Sequence, residues 1–196
     1  MKRYFERFLY IKSRIFLIFY SSLNKFRFRE FGRKSTLGYG CLLQHPENIS
    51  IGDKVSIGNK VWLNAGPGLG KKNNTSLLTV GSGTFISRNV HINAFKNVVI
   101  EDSVLIGEDV YLGDTDHIYS EDSDLPIIEQ GWEFKGPVLL KNGCFIGKGA
   151  IILPGVTVGK NAIVGPNSVI TMNIPDRAMA WGNPARIIKI KKLNNE

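Results

Sequence analysis

Residues 140–175 read LKNGCFIGKGAIILPGVTVGKNAIVGPNSVITMNIP and contain the clearest repeat of the chain. An aliphatic residue returns at every sixth position of this stretch, at Leu140, Ile146, Ile152, Val158, Val164 and Ile170. A fixed period of this length matches neither an α-helix nor a simple alternating strand, and it is typical of a solenoid. The sequence therefore predicts flat six-residue sides that stack three to a turn with the aliphatic side chains inward.

Glycine follows three of the inward aliphatic residues, at Gly147, Gly159 and Gly165. We expect these glycines to lie at the corners of each coil, where a positive φ angle costs glycine little. The same six-residue spacing begins at Ile51 and returns after two interruptions. These features predict an arm over residues 1–44, a solenoid over 45–175 with loops at 64–79 and 114–137, and an extension over 176–196.

The net charge of +8 belongs to the arm, because residues 1–34 hold ten Lys or Arg and two Glu while the remainder is neutral. The uncharged apolar run at residues 15–20 is too short for a transmembrane helix, which needs about 20 residues. One interpretation is an interfacial helix on an anionic membrane, and the other is a helix that caps the solenoid. No motif supports nucleic-acid binding.

The two cysteines, Cys41 and Cys144, form neither a metal-binding pattern nor a disulfide framework. Cys144 occupies an inward repeat position, so we expect a buried free thiol. This usage favours a reducing compartment, and we expect a cytoplasmic protein or one peripheral to the inner face of the cell membrane.

Two segments carry a family resemblance: IGKGAIILPGVTVGKNAIVGPNSVIT and, after it, WGNPARIIK. Together they resemble the hexapeptide-repeat acyltransferases, and the resemblance covers roughly residues 45–190. It implies a left-handed parallel β-helix. The segment VYLGDTDH and the loop after it are similar to the sugar O-acetyltransferases of the galactoside/maltose and capsule or exopolysaccharide type.

In that family a histidine at the loop edge is the general base, and His117 is the matching residue. The chemistry suits histidine, because a sugar hydroxyl needs a base whose pKa is near neutral. Asn93 matches an acceptor-binding asparagine of the galactoside type, although a turn asparagine is an alternative. His91 precedes an inward residue and should point outward, toward a groove or a neighbouring subunit.

Three further residues of the second loop are candidates for substrate contact. Asp114 and Asp116 would orient the imidazole or bind substrate, or else be solvated loop acids. Trp132 would stack on a sugar ring or on the coenzyme, or simply pack within the loop.

The resemblance also implies an acetyl-CoA site along the regular coils. Its matching positions are Phe145, Gly147, Lys148, Pro166, Thr171 and Arg186. Many relatives carry Trp at the position of Phe145 and Lys at that of Met172, so we expect coenzyme binding to differ there. The resemblance implies no metal.

The family forms homotrimers with sites between subunits, which the resemblance extends to this chain. The predicted function is acetyl transfer from acetyl-CoA to a sugar hydroxyl of a surface polysaccharide or its lipid-linked precursor. Two alternatives stay open: N-acetylation of an amino sugar or other amine, and a non-catalytic solenoid that binds or scaffolds.

Overall fold

Three strands make one coil, and each of the three joins a different sheet, in which it pairs with the equivalent strands of the neighbouring coils. A computed structural model of the protein describes residues 15–66 and 77–190. Residues 1–14 of the predicted arm and most of the predicted loop 64–79 lie outside the described residues. The three sheets form the three faces of a prism, which we call faces 1, 2 and 3 in chain order.

Face 1 contains β1 (Glu30–Phe31), β4 (Ile49–Ile51), β7 (Leu78–Val80), β10 (Val98–Ile100), β15 (Val138–Leu140) and β18 (Thr157–Val158). Face 2 contains β2 (Thr36–Leu37), β5 (Ser56–Ile57), β8 (Phe85–Ile86), β11 (Leu105–Ile106), β16 (Phe145–Ile146), β19 (Ile163–Val164), β21 (Ala178–Gly182) and β22 (Ala185–Ile190). Face 3 contains β3 (Leu42–Gln44), β6 (Trp62–Asn64), β9 (His91–Asn93), β12 (Tyr111–Gly113), β17 (Ile151–Ile152) and β20 (Val169–Ile170).

The core is a column of aliphatic side chains inside the prism. The predicted inward residues of the 140–175 stretch are all buried, and so are their counterparts in earlier coils, such as Ile57, Ile92 and Leu112. Cys144 is also fully buried, as predicted from its repeat position. Each inward residue pairs in register with the one a coil away, as Ile106 does with Ile146, so the six-residue period is satisfied in three dimensions.

The repeated glycines serve a purpose different from the one we predicted. Gly147, Gly159 and Gly165 do not have positive φ angles; among the corner residues that do are Gly149 and Asn167. A Cβ atom on Gly147 would lie 2.6 Å from the backbone nitrogen of Pro166 in the next coil. Glycine is therefore needed because successive coils approach too closely for a side chain.

The described part of the arm begins with a helix over residues 15–24, α1, followed by a 3-10 turn at Lys25–Arg27. The Ser21 hydroxyl accepts a hydrogen bond of 2.8 Å from the Leu37 backbone N–H, and Phe28 is buried in the core. The helix thus covers the first coil, which supports the capping interpretation. None of the described helices is long and apolar enough to cross a membrane.

The solenoid begins earlier than the sequence indicated. Its first strand starts at Glu30 and pairs with β4, so residues 30–44 belong to the first coil and not to the arm. The sequence does carry the six-residue step there, at Phe31, Leu37 and Leu43, which pair with Ile51, Ile57 and Leu63 of the second coil. A 3-10 turn at Pro46–Asn48 joins this coil to the second. At the other end β21 continues face 2, and β22 folds back antiparallel onto it.

Candidate active site

A two-stranded hairpin leaves the solenoid after the fourth coil, at the edge between faces 3 and 1. Strand β13 (Thr115–His117) pairs antiparallel with β14 (Trp132–Phe134), and helix α2 (Ile127–Gln130) lies in the connection. His117 stands opposite Trp132 in this pairing, and their ring centroids are 3.5 Å apart. The structure thus brings together two of the residues that the sequence singled out.

The His117 imidazole is half buried, and its Nδ1 atom is buried without a hydrogen-bond partner among the described residues. Buried polar atoms of proteins nearly always have a partner, so such an atom needs an explanation. Asp116 does not supply one. It is exposed, and its Oδ1 accepts a hydrogen bond of 2.8 Å from the His117 backbone N–H.

Asp114 is not a solvated loop acid, and its burial does not fit the predicted substrate contact. Its side chain is fully buried. The carboxylate accepts hydrogen bonds from the backbone N–H groups of Phe95, Lys96 and Asn97, at 2.8, 2.8 and 2.7 Å. It therefore fixes the turn by which the third coil passes from face 3 to face 1, and it neither contacts the imidazole nor reaches solvent.

The turn at residues 95–97 also contacts Trp132. Phe95 stacks on Trp132 with ring centroids 5.8 Å apart and planes inclined by 25°. Trp132 nevertheless keeps 45% of its surface exposed. An aromatic ring that is held on two sides and open on a third offers a platform to a flat apolar ligand surface. Sequence spacing did not indicate Phe95, because its contact with Trp132 depends on the turn that Asp114 holds.

Asn93 ends β9 beside the same edge, and its Oδ1 is buried with no hydrogen-bond partner within the described ranges. One coil away, the Tyr111 hydroxyl lies over Gly113, where a Cβ atom would meet that hydroxyl at 3.2 Å. His91 points outward as predicted, and its ring packs edge-to-face with that of Trp62, with ring centroids 5.3 Å apart. His91 is therefore on face 3, beside the site.

The predicted coenzyme residues Gly147, Lys148 and Pro166 lie at the edge between faces 2 and 3, in the fifth and sixth coils. Lys148 is engaged there, with its Nζ 3.2 Å from Glu108 and 3.4 Å from Asp109. These carboxylates raise the pKa of the Lys148 ammonium through hydrogen bonds, first from Glu108. A phosphate bound at Lys148 would have to exchange with them.

The remaining coenzyme candidates are more dispersed. Phe145 projects from face 2 with 36% of its surface exposed, and Arg186 pairs across β21 and β22 with Trp181. Thr171 follows β20 at the edge between faces 3 and 1, which is the edge of His117. Within one chain, face 3 therefore separates most of the predicted coenzyme residues from His117.

Neither cysteine is placed to act as a nucleophile. Cys144 points into the core, and burial raises the pKa of its thiol to about 12. Cys41 is half buried in the first coil, and burial raises the pKa of its thiol as well. Within residues 15–66 and 77–190, no group of three or more His, Cys, Asp or Glu is placed to hold a metal ion.

The regular coils match a known family. Residues 137–171 match the family described as bacterial transferase hexapeptide (six repeats). The predicted resemblance to the hexapeptide-repeat transferase family is confirmed, and so is the predicted fold, a left-handed parallel β-helix.

The chain is similar to two curated relatives and to one solved structure. A probable acetyltransferase of Mycobacterium tuberculosis is 33% identical over 148 residues, which are 76% of this chain and 46% of that protein. The galactoside O-acetyltransferase of Escherichia coli is 27% identical over 169 residues, 80% of this chain and 77% of that protein. The chain spans about half the length of the first curated relatives it matches, at 46% and 45%.

The solved structure is AntD, an N-acyltransferase of Bacillus cereus in complex with dTDP and 3-hydroxybutyryl-CoA. It matches with a TM-score of 0.63 at 23% identity and covers 87% of both chains. At this identity the likeness establishes the fold alone.

Proposed function

We propose that this chain is an acetyl-CoA-dependent O-acetyltransferase that acts on a sugar hydroxyl, with His117 as the general base. The observation that carries the proposal is the half-buried His117 ring, which lies against a half-exposed tryptophan on a hairpin at the solenoid edge. Histidine is the side chain that most often acts as a general base, and a ring that keeps part of its surface exposed can reach a substrate proton. The acetyltransferase names of the relatives and the coenzyme A thioester bound by the similar N-acyltransferase support the donor.

In the proposed reaction, a ring nitrogen of His117 removes the hydroxyl proton as the oxygen attacks the acetyl carbonyl. The tetrahedral oxyanion then collapses, the carbon–sulfur bond breaks, and the coenzyme thiolate takes the proton back from His117. Backbone N–H groups at a coil corner would stabilise the oxyanion. Transfer is direct, because the Cys144 thiol is buried and its pKa is raised to about 12.

A homotrimer with sites between subunits is part of the proposal. The support is that His117 and residues such as Gly147 and Pro166 lie on different edges of one prism, so a neighbouring copy would complete the site. Face 2 also carries an in-register row of exposed apolar side chains, Phe85 and Leu105 among them, at 48% and 43% exposure. The mass in solution, measured by light scattering, tests this: a monomer active at the same concentration would exclude shared sites.

The test of the base is release of coenzyme A from acetyl-CoA with a panel of sugars. We expect His117→Ala to lower kcat about a hundredfold or more, because general base catalysis contributes about 10²- to 10⁴-fold. His45→Ala, which changes a histidine of the first coil, is the matched control. If His117→Ala released coenzyme as fast as wild type, His117 would not be the base.

Acyl transfer to an amino sugar is the second candidate, because a protein with this fold, the Bacillus cereus enzyme, is an N-acyltransferase. The same histidine would then assist an amine. Mass spectrometry of the product separates the two candidates, since mild alkali removes an acetyl ester and leaves an acetyl amide. An alkali-stable product would replace O-acetylation by N-acetylation.

A lipid-linked precursor at the inner face of the cell membrane is the proposed source of the acceptor. Its support is the exposed apolar side of the arm, formed by Ile15, Phe16, Ile18, Phe19, Leu23 and Phe26. Basic residues flank this surface, including exposed Lys25 and Arg27. Apolar side chains beside cations are suited to an anionic lipid surface.

Sedimentation with phosphatidylglycerol vesicles tests the arm. We expect binding that weakens as salt rises, because cations attract anionic lipid only within the Debye length. Phe26→Ala should reduce it, whereas Ile128→Ala should not, although both side chains are 82% exposed. Equal loss in both variants, or no binding at low salt, would leave the arm as a cap only.

A further inference from the structure

An in-register line of amide side chains runs along face 3 toward the site. The strands β3, β6 and β9 each end in an amide residue, and the pairing places Gln44 beside Asn64 and Asn64 beside Asn93. We call these three residues the amide column. Because neighbouring strands are about 4.8 Å apart, the column spans about 10 Å along the solenoid. Its last residue, Asn93, pairs with Gly113, four residues before His117.

The column is short of hydrogen-bond donors. Among the described residues, three buried side-chain nitrogen or oxygen atoms lack a partner: Asn64 Oδ1, Asn93 Oδ1 and His117 Nδ1. All three belong to the column or to the base at its end. Unpartnered buried atoms are rare, so a run of them along one line indicates a ligand that supplies donors. Both asparagines are half buried, and their terminal torsion is broad, so each amide can turn toward such a ligand.

Aromatic side chains lie beside the amide column on face 3, at the first residue of β6, β9 and β12. Trp62 Nε1 donates a hydrogen bond of 3.1 Å to Gln44 Oε1, which holds the indole against the column. Above it come His91 and Tyr111, in register with Trp62. Rings beside amides suit a sugar chain, which presents apolar C–H faces and hydroxyl edges together. The column and these rings contain no Lys or Arg, which a nucleoside diphosphate would require.

We propose that the amide column binds a neutral oligosaccharide, so that the acceptor is a chain of sugars and not a free monosaccharide. The residue to be acetylated lies beside His117, and the following sugars extend over the third, second and first coils toward the arm. Their hydroxyl groups donate to Asn93 and Asn64, and Trp62 stacks on a sugar face. This inference rests on the proposed function and specifies its substrate class.

The test compares acceptors of increasing length. The full-length protein is assayed for coenzyme A release with glucose and N-acetylglucosamine, and with their trisaccharides maltotriose, cellotriose and chitotriose. For at least one series, we expect kcat/KM to rise about tenfold or more from the monosaccharide to the trisaccharide. Asn64→Ala should lower this trisaccharide-to-monosaccharide ratio about tenfold, as for loss of one to two hydrogen bonds.

Two variants guard against a folding defect. Trp62→Phe keeps a ring and should retain more of the ratio than Trp62→Ala. Thr79→Ala alters a half-buried residue on face 1 in the third coil and should leave the ratio unchanged. An unchanged ratio in Asn64→Ala, or acetylation without length dependence, would overturn the column while keeping the proposed function.

Binding measured without turnover separates the two failures. The indole N–H resonance of Trp62, assigned with Trp62→Phe, should shift on titration with whichever trisaccharide is preferred. If all three trisaccharides shift it but none is acetylated, the proposed function fails and the column stands. If no trisaccharide shifts it, the column is wrong. A change of oligomeric mass in Trp62→Ala would instead assign these residues to a contact between copies of the chain, and would also overturn it.

Discussion

Replacement of Asp114 by alanine should destabilise the protein, because this carboxylate holds a turn. It accepts three backbone hydrogen bonds at 2.7–2.8 Å while fully buried. Hydrogen bonds to a charged group contribute about 1.5–3 kcal/mol each, so an additive sum would be about 4.5–9 kcal/mol. Lys96 and Asn97 are exposed, so their amides regain water in the variant. We therefore expect a loss of about 3 kcal/mol.

Asp114→Asn should cost less, about half as much, because the amide keeps one acceptor oxygen. Urea unfolding at one fixed protein concentration measures both variants, since an oligomer's stability depends on concentration. Asp116→Ala is the control, because this exposed neighbour should change the free energy of unfolding by no more than about 0.5 kcal/mol. If Asp114→Ala unfolded at the wild-type urea midpoint while raising the KM for the acceptor, Asp114 would be a substrate ligand and not the support of this turn.

Two further predictions concern the regular coils. Gly165→Ala should cost about 2 kcal/mol by overpacking, because the Trp181 ring occupies the space that a Cβ would need; an unchanged urea midpoint and Trp181 fluorescence would contradict this. Cys144 should not react with a thiol reagent at pH 8 in the folded protein, and reaction at the rate of a free thiol would contradict its burial. The raised pKa of Cys144 also predicts that the free energy of unfolding declines as pH rises from about 8.5 toward 12. The unfolded thiol ionises first in this range, so the unfolded state binds fewer protons than the folded state. Cys144→Ala should remove this part of the pH dependence.

The fold could be predicted from the sequence because one rule repeats in it. Residues such as Ile146, Ile152 and Val158 recur at the interval of a coil side, and their burial follows directly from that spacing. The start of the solenoid at Glu30 was missed although Phe31, Leu37 and Leu43 keep the six-residue step, because the 3-10 turn at Pro46–Asn48 shifts the phase before Ile51. The reason for the glycines was also missed, since Gly147, Gly159 and Gly165 contact Pro166, Asp176 and Trp181, which lie 19, 17 and 16 positions further along the chain.

The site was only partly predictable. His117 and Trp132 were identified because they lie where the repeat is interrupted, and the pairing of β13 with β14 places them opposite each other. The same reasoning failed for Asp114, since its three partners lie in the preceding coil. Asn64 could have been found, because it follows an inward Leu63 just as Asn93 follows Ile92. Asn64 and Asn93 occupy equivalent repeat positions, so sequence spacing does not reveal which side chain lacks a hydrogen-bond partner.

The antiparallel pairing of β22 with β21 affects whether molecules can associate end to end along the solenoid axis. A stack of parallel coils would otherwise present unpaired N–H and C=O groups, to which a strand of another molecule could add. On face 2 the edge strand is β22, whose direction is opposite to that of every other strand in the sheet and which carries exposed Arg186 and Lys189, and both features oppose the addition of a further parallel strand. At the opposite end of the same face, the Ser21 hydroxyl occupies the Leu37 N–H. Molecules of this protein are thereby hindered from joining end to end into fibres, and association is directed to the sides of the prism.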